Sequence, residues 1–391
     1  MPEMHHANKR DYPGNAKKRT AGGASELPGR LARGASAGGR GAGPAVVAGR
    51  PAGALLVSSA VKVTAGRVMV TGGAGYIGAH VVRMLQEHGH DVLVVDDLST
   101  GRADRIGDAD LLRLDVAGSG AAAALRDALT AGRCEAVVHL AARKAVGESV
   151  AHPLRYWQQN VTGLANVLTA VTEAGVDRVV FSSSAAVYGS TGPGQVDEDA
   201  PTAPVNPYGE TKLAGEWLLR STARATGLRQ VSLRYFNVAG AGWPDLADPA
   251  VQNLVTLVLD RWRRGEPAVV LGTDYPTEDG SCVRDYVHVG DLARAHVAAL
   301  AYLDRAERPA DVLNIGTGRG ASVLEMVRAL AAAAGGGGPV VHGERRPGDP
   351  ARVVADPSRA VELLRWRAQA DVAEIARSAW AAHQASPPAS V

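Results

Sequence analysis

The sequence predicts an α/β fold: a doubly wound parallel sheet covered by helices, with a smaller C-terminal α/β lobe that binds substrate. Three observations predict it. Short apolar strands alternate with helical stretches from residue 67 onward, and such alternation implies a parallel sheet covered on both faces. A glycine-rich loop joins the first strand to the first helix. The 391 residues are long enough for two packed subdomains.

The first element is Val68–Thr71, an apolar strand. Gly72-Gly73-Ala74-Gly75-Tyr76-Ile77-Gly78 follows it, then a helix to about His88, stopped by Gly89, and a second strand, Asp91–Asp96. Together they make a βαβ unit of about 30 residues. Further strands are expected at 111–114, 136–140, 178–183 and 231–235, with helices near 153–174 and 207–226. Loops around 240–250 and 272–286 mark the smaller lobe. Residues 67–240 are therefore expected to form mainly the nucleotide domain. Residues 241–385 are expected to form mainly the substrate lobe, with some segments returning to the sheet, and 386–391 a tail.

Residues 1–66 carry Gly, Ala, Arg and Ser without periodicity and are expected to be disordered. Residues 1–67 hold 11 Lys/Arg against 3 Asp/Glu, while the rest hold 31 against 37. The basic balance thus belongs to the leader, and nothing in the body suggests a nucleic-acid surface. The apolar run from Ala52 lies too far from Met1 for a signal peptide. Val61, Val63 or Met69 is the expected start of the folded domain, and a tethering leader is the less favoured alternative. No run of 18 uncharged apolar residues predicts a membrane helix. Cys134 and Cys282 are far apart, with no metal-ligand spacing and no disulfide framework, which suits a reducing cytoplasm.

The glycine loop carries the first chemistry. Gly72 permits the tight turn, Gly75 lets backbone approach a pyrophosphate, and Gly78 lets the helix pack on the strand, the Rossmann-type arrangement. The phosphates would sit at the helix N-terminus, where free N–H groups and the helix dipole favour anions. Asp96 ends the second strand and can accept from ribose hydroxyls; its charge repels the extra phosphate of NADP, so NAD is favoured. Asp115 either reaches the adenine or is a strand-end turn residue.

A second constellation is Tyr208-Gly209-Glu210-Thr211-Lys212 after Asn206-Pro207, a plausible helix start. Tyr208 and Lys212 stand one turn apart on one face. A lysine ammonium and a positive nicotinamide ring would favour the phenolate and lower the tyrosine pKa, making Tyr208 a base. Ser182-Ser183-Ser184 ends a strand at the sheet edge where ligands bind. Exposed Tyr/Lys helical pairs are common; the dinucleotide loop and strand-end serines upstream give this one its weight. Residues 68–391 hold only two lysines, Lys144 and Lys212, against 29 arginines, and an ammonium is not replaceable by a guanidinium.

These segments resemble the extended short-chain dehydrogenase/reductases, and among them the UDP-glucose 4-epimerases, over about residues 67–385. Val70–Gly78, Lys144-Ala145-Val146-Gly147-Glu148-Ser149, Ser182–Gly189, Leu233-Arg234-Tyr235-Phe236-Asn237 and the run Asp274–Tyr286 carry the likeness. The resemblance implies Ser184, Tyr208 and Lys212 as the catalytic trio. It implies an NAD site of Gly72, Gly75, Tyr76, Ile77, Gly78, Asp96, Asp115, Val116, Lys144, Asn160, Tyr208, Lys212 and Phe236. Ser184, Asn237, Asn253, Arg284, Arg346 and Asp349 would hold a UDP-sugar, no metal is implied, and a homodimer is. Arginine forks suit diphosphate oxygens.

Four positions depart from the pattern. Ala186 stands where many relatives have Thr, Ala142-Arg143 replaces Gly-Leu, and Val353 stands where some relatives place a bulky Tyr. The last would widen the sugar pocket toward N-acetylated hexosamines. Related 4,6-dehydratases place Asp-Glu beside the serine triplet; Ala185-Ala186 are apolar and argue against dehydration. Uronate or pentose epimerases, and a noncatalytic NAD-binding regulator, stay open as alternatives.

Overall fold

The computed structural model describes residues 66–385 except 193, 308 and 347. The expected leader, Gly66 apart, and the tail at 386–391 lie outside the described residues.

The described residues open on β1 (Arg67–Thr71), α1 (Tyr76–Glu87) and β2 (Val92–Asp96), the βαβ unit expected. Next come β3 (Asp110–Arg113), α2 (Ala121–Ala131) and β4 (Cys134–His139). Short helices α3 (Val146–Ala151) and α4 (Pro153–Tyr156) lead through a π-helical turn, Trp157–Thr162, into α5 (Gly163–Ala174). The helix expected over 153–174 is therefore interrupted in its winding. Then follow β5 (Arg178–Ser184), β6 (Gln195–Val196), α6 (Pro207–Thr226), β7 (Arg229–Tyr235) and β8 (Asn237–Ala239); α6 has the expected bounds. The remainder is α7 (Leu254–Arg263), β9 (Ala268–Leu271), β10 (Val283–His288), α8 (Val289–Arg305), β11 (Ala310–Ile315), β12 (Gly320–Ser322), α9 (Val323–Ala333), β13 (Val340–Gly343), β14 (Arg352–Ala355), α10 (Ser358–Leu364) and α11 (Val372–Ala385).

One expectation is corrected here. The loop expected over 272–286 ends in a strand, β10. Its Arg284 and Asp285 gave it a loop-like composition, but Asp285 is buried with its charge satisfied. Its carboxylate accepts the N–H groups of Thr317 (2.8 Å), Gly318 (2.9 Å) and Ala355 (3.2 Å) and the Thr317 hydroxyl (2.7 Å), as a buried charge requires.

Seven parallel strands form the main sheet in the order β11-β7-β5-β4-β1-β2-β3. Val68 and Val70 join the buried cluster that contains α1 and α8 residues, while Met69 between them joins the cluster with α2 and α5. Burial on both faces is why these strands read as unbroken apolar runs. Strand order reverses between β1 and β4, and ligands of such sheets bind at the carboxyl ends beside this switch. The loop after β1 and the segment Leu140–Lys144 after β4 meet there. A second sheet, β12-β10-β14-β6, has β8 paired on β10; its register sets Asn237 beside Tyr286 and Val353 beside Arg284.

Candidate active site

The loop after β1 has the shape a dinucleotide needs. Gly72 sits at φ +73°, and a Cβ there would come within 2.6 Å of the Ala141 nitrogen. At Gly78 a Cβ would lie 2.0 Å from the Gly72 carbonyl oxygen, so only glycine lets α1 start this close. Gly75 is the N-cap of α1, which has no side-chain cap and no acid in its first turn. That N-terminus is therefore open to an anion.

Gly72, Gly75, Tyr76, Ile77, Gly78, Asp96, Asp115, Val116, Lys144, Tyr208 and Lys212 all line one cleft of about 260 Å³. Asp96 holds its place by accepting the Ala74 N–H (3.0 Å) and the Leu98 N–H (2.9 Å); burial raises its pKa. Asp115 accepts the Ala117 N–H (2.9 Å) and the Gln159 amide (3.3 Å), so it both forms the strand-end turn and lines the cleft. Lys144 Nζ stands 5.8 Å from the Tyr76 ring centre. Asn160 does not line the cleft. From the π-helical turn its amide accepts the Arg143 N–H (2.8 Å) and donates to the Arg143 carbonyl (3.1 Å) and the Thr211 hydroxyl (3.0 Å). It shapes the wall at Lys144 from behind. Phe236 is buried among Val187, Tyr188, Val196, Leu213 and Ala355.

Helix α6 begins on Asn206, whose side chain accepts the Gly209 N–H at 2.9 Å, with Pro207 at its first position. Lys212 is 3% exposed and donates to the Ser182 carbonyl at 2.8 Å. Its Nζ lies 5.9 Å from the Tyr208 ring centre. Burial lowers the Lys212 pKa to about 7. The Tyr208 phenol is raised by burial, against which a hydrogen bond with Ser184 pulls it down. Burial thus works against the charged form of both groups in the protein alone, and the expected lowering of the phenol pKa belongs to a site that also holds the positive nicotinamide ring.

Sequence reasoning missed the polar network under this trio. Glu216 stands one turn beyond Lys212 on α6 and accepts from the Ser183 hydroxyl (2.5 Å) and from Arg234 Nε (2.9 Å) and Nη2 (2.7 Å). Arg234 also donates to the Tyr188 hydroxyl (2.9 Å). Tyr235 lines the cleft, and its hydroxyl lies 2.5 Å from His296 Nε2. Since His296 Nδ1 can only donate to the Leu292 carbonyl (2.9 Å), Nε2 accepts and the tyrosine donates. The signal for Glu216 was available: 208, 212 and 216 continue one i,i+4 ladder.

The residues assigned to the sugar nucleotide lie beyond this cleft. Asn237 opens β8 and is exposed; Arg284 on neighbouring β10 pairs with Asp349. Arg346 is exposed and bridged to Asp349 by a turn (3.2 Å). Asn253 caps α7, and its amide donates to Asp248 at 2.9 Å. Val353 packs on the cluster around Phe236 and Tyr188. Among the described residues no group of three His, Cys, Asp or Glu could hold a metal ion.

A sequence model of the NAD dependent epimerase/dehydratase family matches residues 68–316. The chain belongs to this family. A UDP-glucose 4-epimerase of Azospirillum brasilense is 46% identical over 305 residues, covering 77% of this chain and 86% of that one. The crystal structure of a UDP-glucose-4-epimerase from Stenotrophomonas maltophila, with bound NAD and formylated UDP-arabinopyranose, superposes with a TM-score of 0.77 at 39% identity, covering 82% of this chain and 98% of that one. A UDP-Glc/GlcNAc 4-epimerase from Campylobacter jejuni gives 0.72 at 33%, covering 82% and 99%. Within the NAD dependent epimerase/dehydratase family, the glycine loop and the Tyr208–Lys212 ladder fall inside the matched span; Arg346, Asp349 and Val353 lie past its end.

Proposed function

We propose that this chain interconverts UDP-galactose and UDP-glucose, inverting C4 through a transient 4-keto sugar with NAD held in the cleft. The observation that carries it is that Tyr208 and Lys212 line the same cleft as the glycine loop, with Ser184 on the phenol. NAD held by the glycine loop and Asp96 would supply a reversible hydride acceptor for C4. Tyr208 takes the 4-hydroxyl proton and gives it back, and the Ser184 hydroxyl relays it. Lys212, fixed on the Ser182 carbonyl, supplies the positive charge that a buried phenolate needs. Arg284, Arg346 and Asp349, with Asn237 and Asn253, grip the UDP, while the sugar is held loosely enough to present its other face.

The test is conversion of UDP-galactose by purified protein with NAD, alongside Tyr208→Phe. Turnover in the wild type and its loss by about 10²-fold or more in a variant that still binds NAD is expected. No conversion by folded, NAD-loaded protein would move the substrate to a uronate or pentose nucleotide.

We further infer a homodimer in the cytoplasm. Both cysteines are free and buried, and among the described residues no helix is long and apolar enough to cross a membrane. Val150, Leu154, Trp157 and Trp217 are 63%, 77%, 39% and 56% exposed on α3, α4, the π-helical turn and α6. These elements pack on one another, large exposed apolar side chains on neighbouring elements mark an interface, and a second copy is its occupant here. Light scattering should give twice the chain mass, and Leu154→Glu half of that; a monomeric wild type ends the idea.

A further inference from the structure

Residues 240–252 contact the cofactor side of the fold at both ends. Tyr76, His80 and Arg83 lie on one face of α1, at i, i+4 and i+7, and each takes a partner from this segment. The Tyr76 hydroxyl donates to the Gly240 carbonyl at 2.5 Å. His80 Nδ1 donates to the Tyr76 carbonyl (2.8 Å), which leaves Nε2 as the acceptor for the Gly242 N–H (3.0 Å). Burial lowers the His80 pKa to about 4, so this acceptor persists at neutral pH. Arg83 donates to both oxygens of Asp245 (2.9 and 3.0 Å) and stacks 4.7 Å from the Trp243 ring centre.

Beyond Asp245 the segment turns into the cleft. Asp248, Pro249, Ala250 and Gln252 line it together with Gly72, Tyr76 and Lys144. The turn is held from within: Asp248 accepts the Ala250 N–H (3.0 Å) and the Asn253 amide (2.9 Å), and Asn253 then starts α7 in a reciprocal cap with Thr256. Arg105 stands at the junction, 9% exposed, with Nε and Nη2 lacking partners and within electrostatic reach of both Asp248 and Tyr76.

We propose that residues 240–252 are a strap that binds the cofactor as part of the cleft wall and sets how long it stays, with Arg83 a positioning residue acting through Trp243 and Asp245. The proposal rests on NAD being the resident cofactor. A cofactor regenerated at every turnover has no need to leave, so retention is a matter of off-rate. Parting of the strap from the facing wall would free the cofactor that it covers. The strap is pinned to the same helix whose N-terminus faces the phosphate site, and the Arg83–Trp243–Asp245 part of the pin holds two walls together without itself lining the cleft.

The experiment is NAD release from loaded protein after dilution, followed by filtration and assay of the freed cofactor. Arg83→Ala and Asp245→Ala should release NAD about tenfold faster than the wild type. Arg83→Asp combined with Asp245→Arg should slow it again. A role confined to stability would move the melting temperature of NAD-free protein and leave release unchanged. Wild-type release from Asp245→Ala, an exposed site whose replacement spares the fold, sinks the strap alone. A wild type that takes up no NAD sinks both the strap and the reading beneath it.

Discussion

At the scale of single residues, the breadth of the proposed sugar pocket is expected to turn on Val353. It is half-buried beside Arg284 in the register of β10 and β14 and packs against Phe236 and Tyr188. A tyrosine ring in its place would carry more bulk toward Arg284, which is proposed to hold the sugar nucleotide. Val353→Tyr should therefore cut turnover of UDP-N-acetylgalactosamine by about tenfold or more while sparing UDP-galactose; the scale follows from the 1–3 kcal/mol typical of pocket shape discrimination. Parallel kcat/KM measurements decide it, and equal losses on both sugars would discard the idea. The glycines and the Tyr208–Lys212 pair were legible because their chemistry is written in local spacing. Arg284 and Asp349 were not legible from local pattern, because 65 residues separate them and their meeting depends on the second sheet. The burial that raises the Tyr208 phenol in the protein alone was not legible for a related reason: sequence supplies the neighbours of a group but not its desolvation.

At the scale of elements, the trio depends on how α6 sits on β5 and β7. Glu216 and Arg234 have side-chain exposures of 0% and 4%, and Ser183 ties the pair to the strand that carries Ser182 and Ser184. A buried pair of this kind is weak evidence for stability, but it fixes the helix in one register against the sheet. Glu216→Gln strands a buried guanidinium and should cost about 3–5 kcal/mol in denaturant unfolding. Glu216→Leu with Arg234→Met should recover the stability but not the turnover per NAD-loaded molecule. Full turnover in the double variant would reduce the network to a stability device. Most elements could be read from periodicity, α6 to the residue; β10 could not, because a strand carrying Arg284 and Asp285 looks like a loop until the partners of Asp285 are known.

At the scale of the whole molecule, His80, His139 and His296 are all 2% exposed or less. Burial lowers their pKa values from 6.5 to about 4, about 3 and about 4. Below pH 6.5 the unfolded chain takes up protons that the folded chain refuses, so stability is present above that pH and lost as pH falls toward 4. Each tenfold difference in proton affinity is about 1.4 kcal/mol, so the three together cost on the order of several kcal/mol. Asp285 and Glu198, whose pKa values burial raises, act in the opposite sense at the acid end, so the window to examine is pH 6.5 to 5. Urea midpoints should fall across it; a flat profile would contradict the buried neutral imidazoles.

The π-helical turn at Trp157–Thr162 gives the α4–α5 rod a phase slip. Before the slip, the rod packs on α6 and leaves Leu154 exposed; after it, the rod keeps its contact with α6 and packs most heavily on α2. A uniform winding would carry one stripe along its whole length and could serve one of these neighbours well. The extra residue works like a spliced thread in a screw, so that one rod can keep α6 along its length and still seat on α2, with Asn160 at the splice turned inward behind the cleft wall.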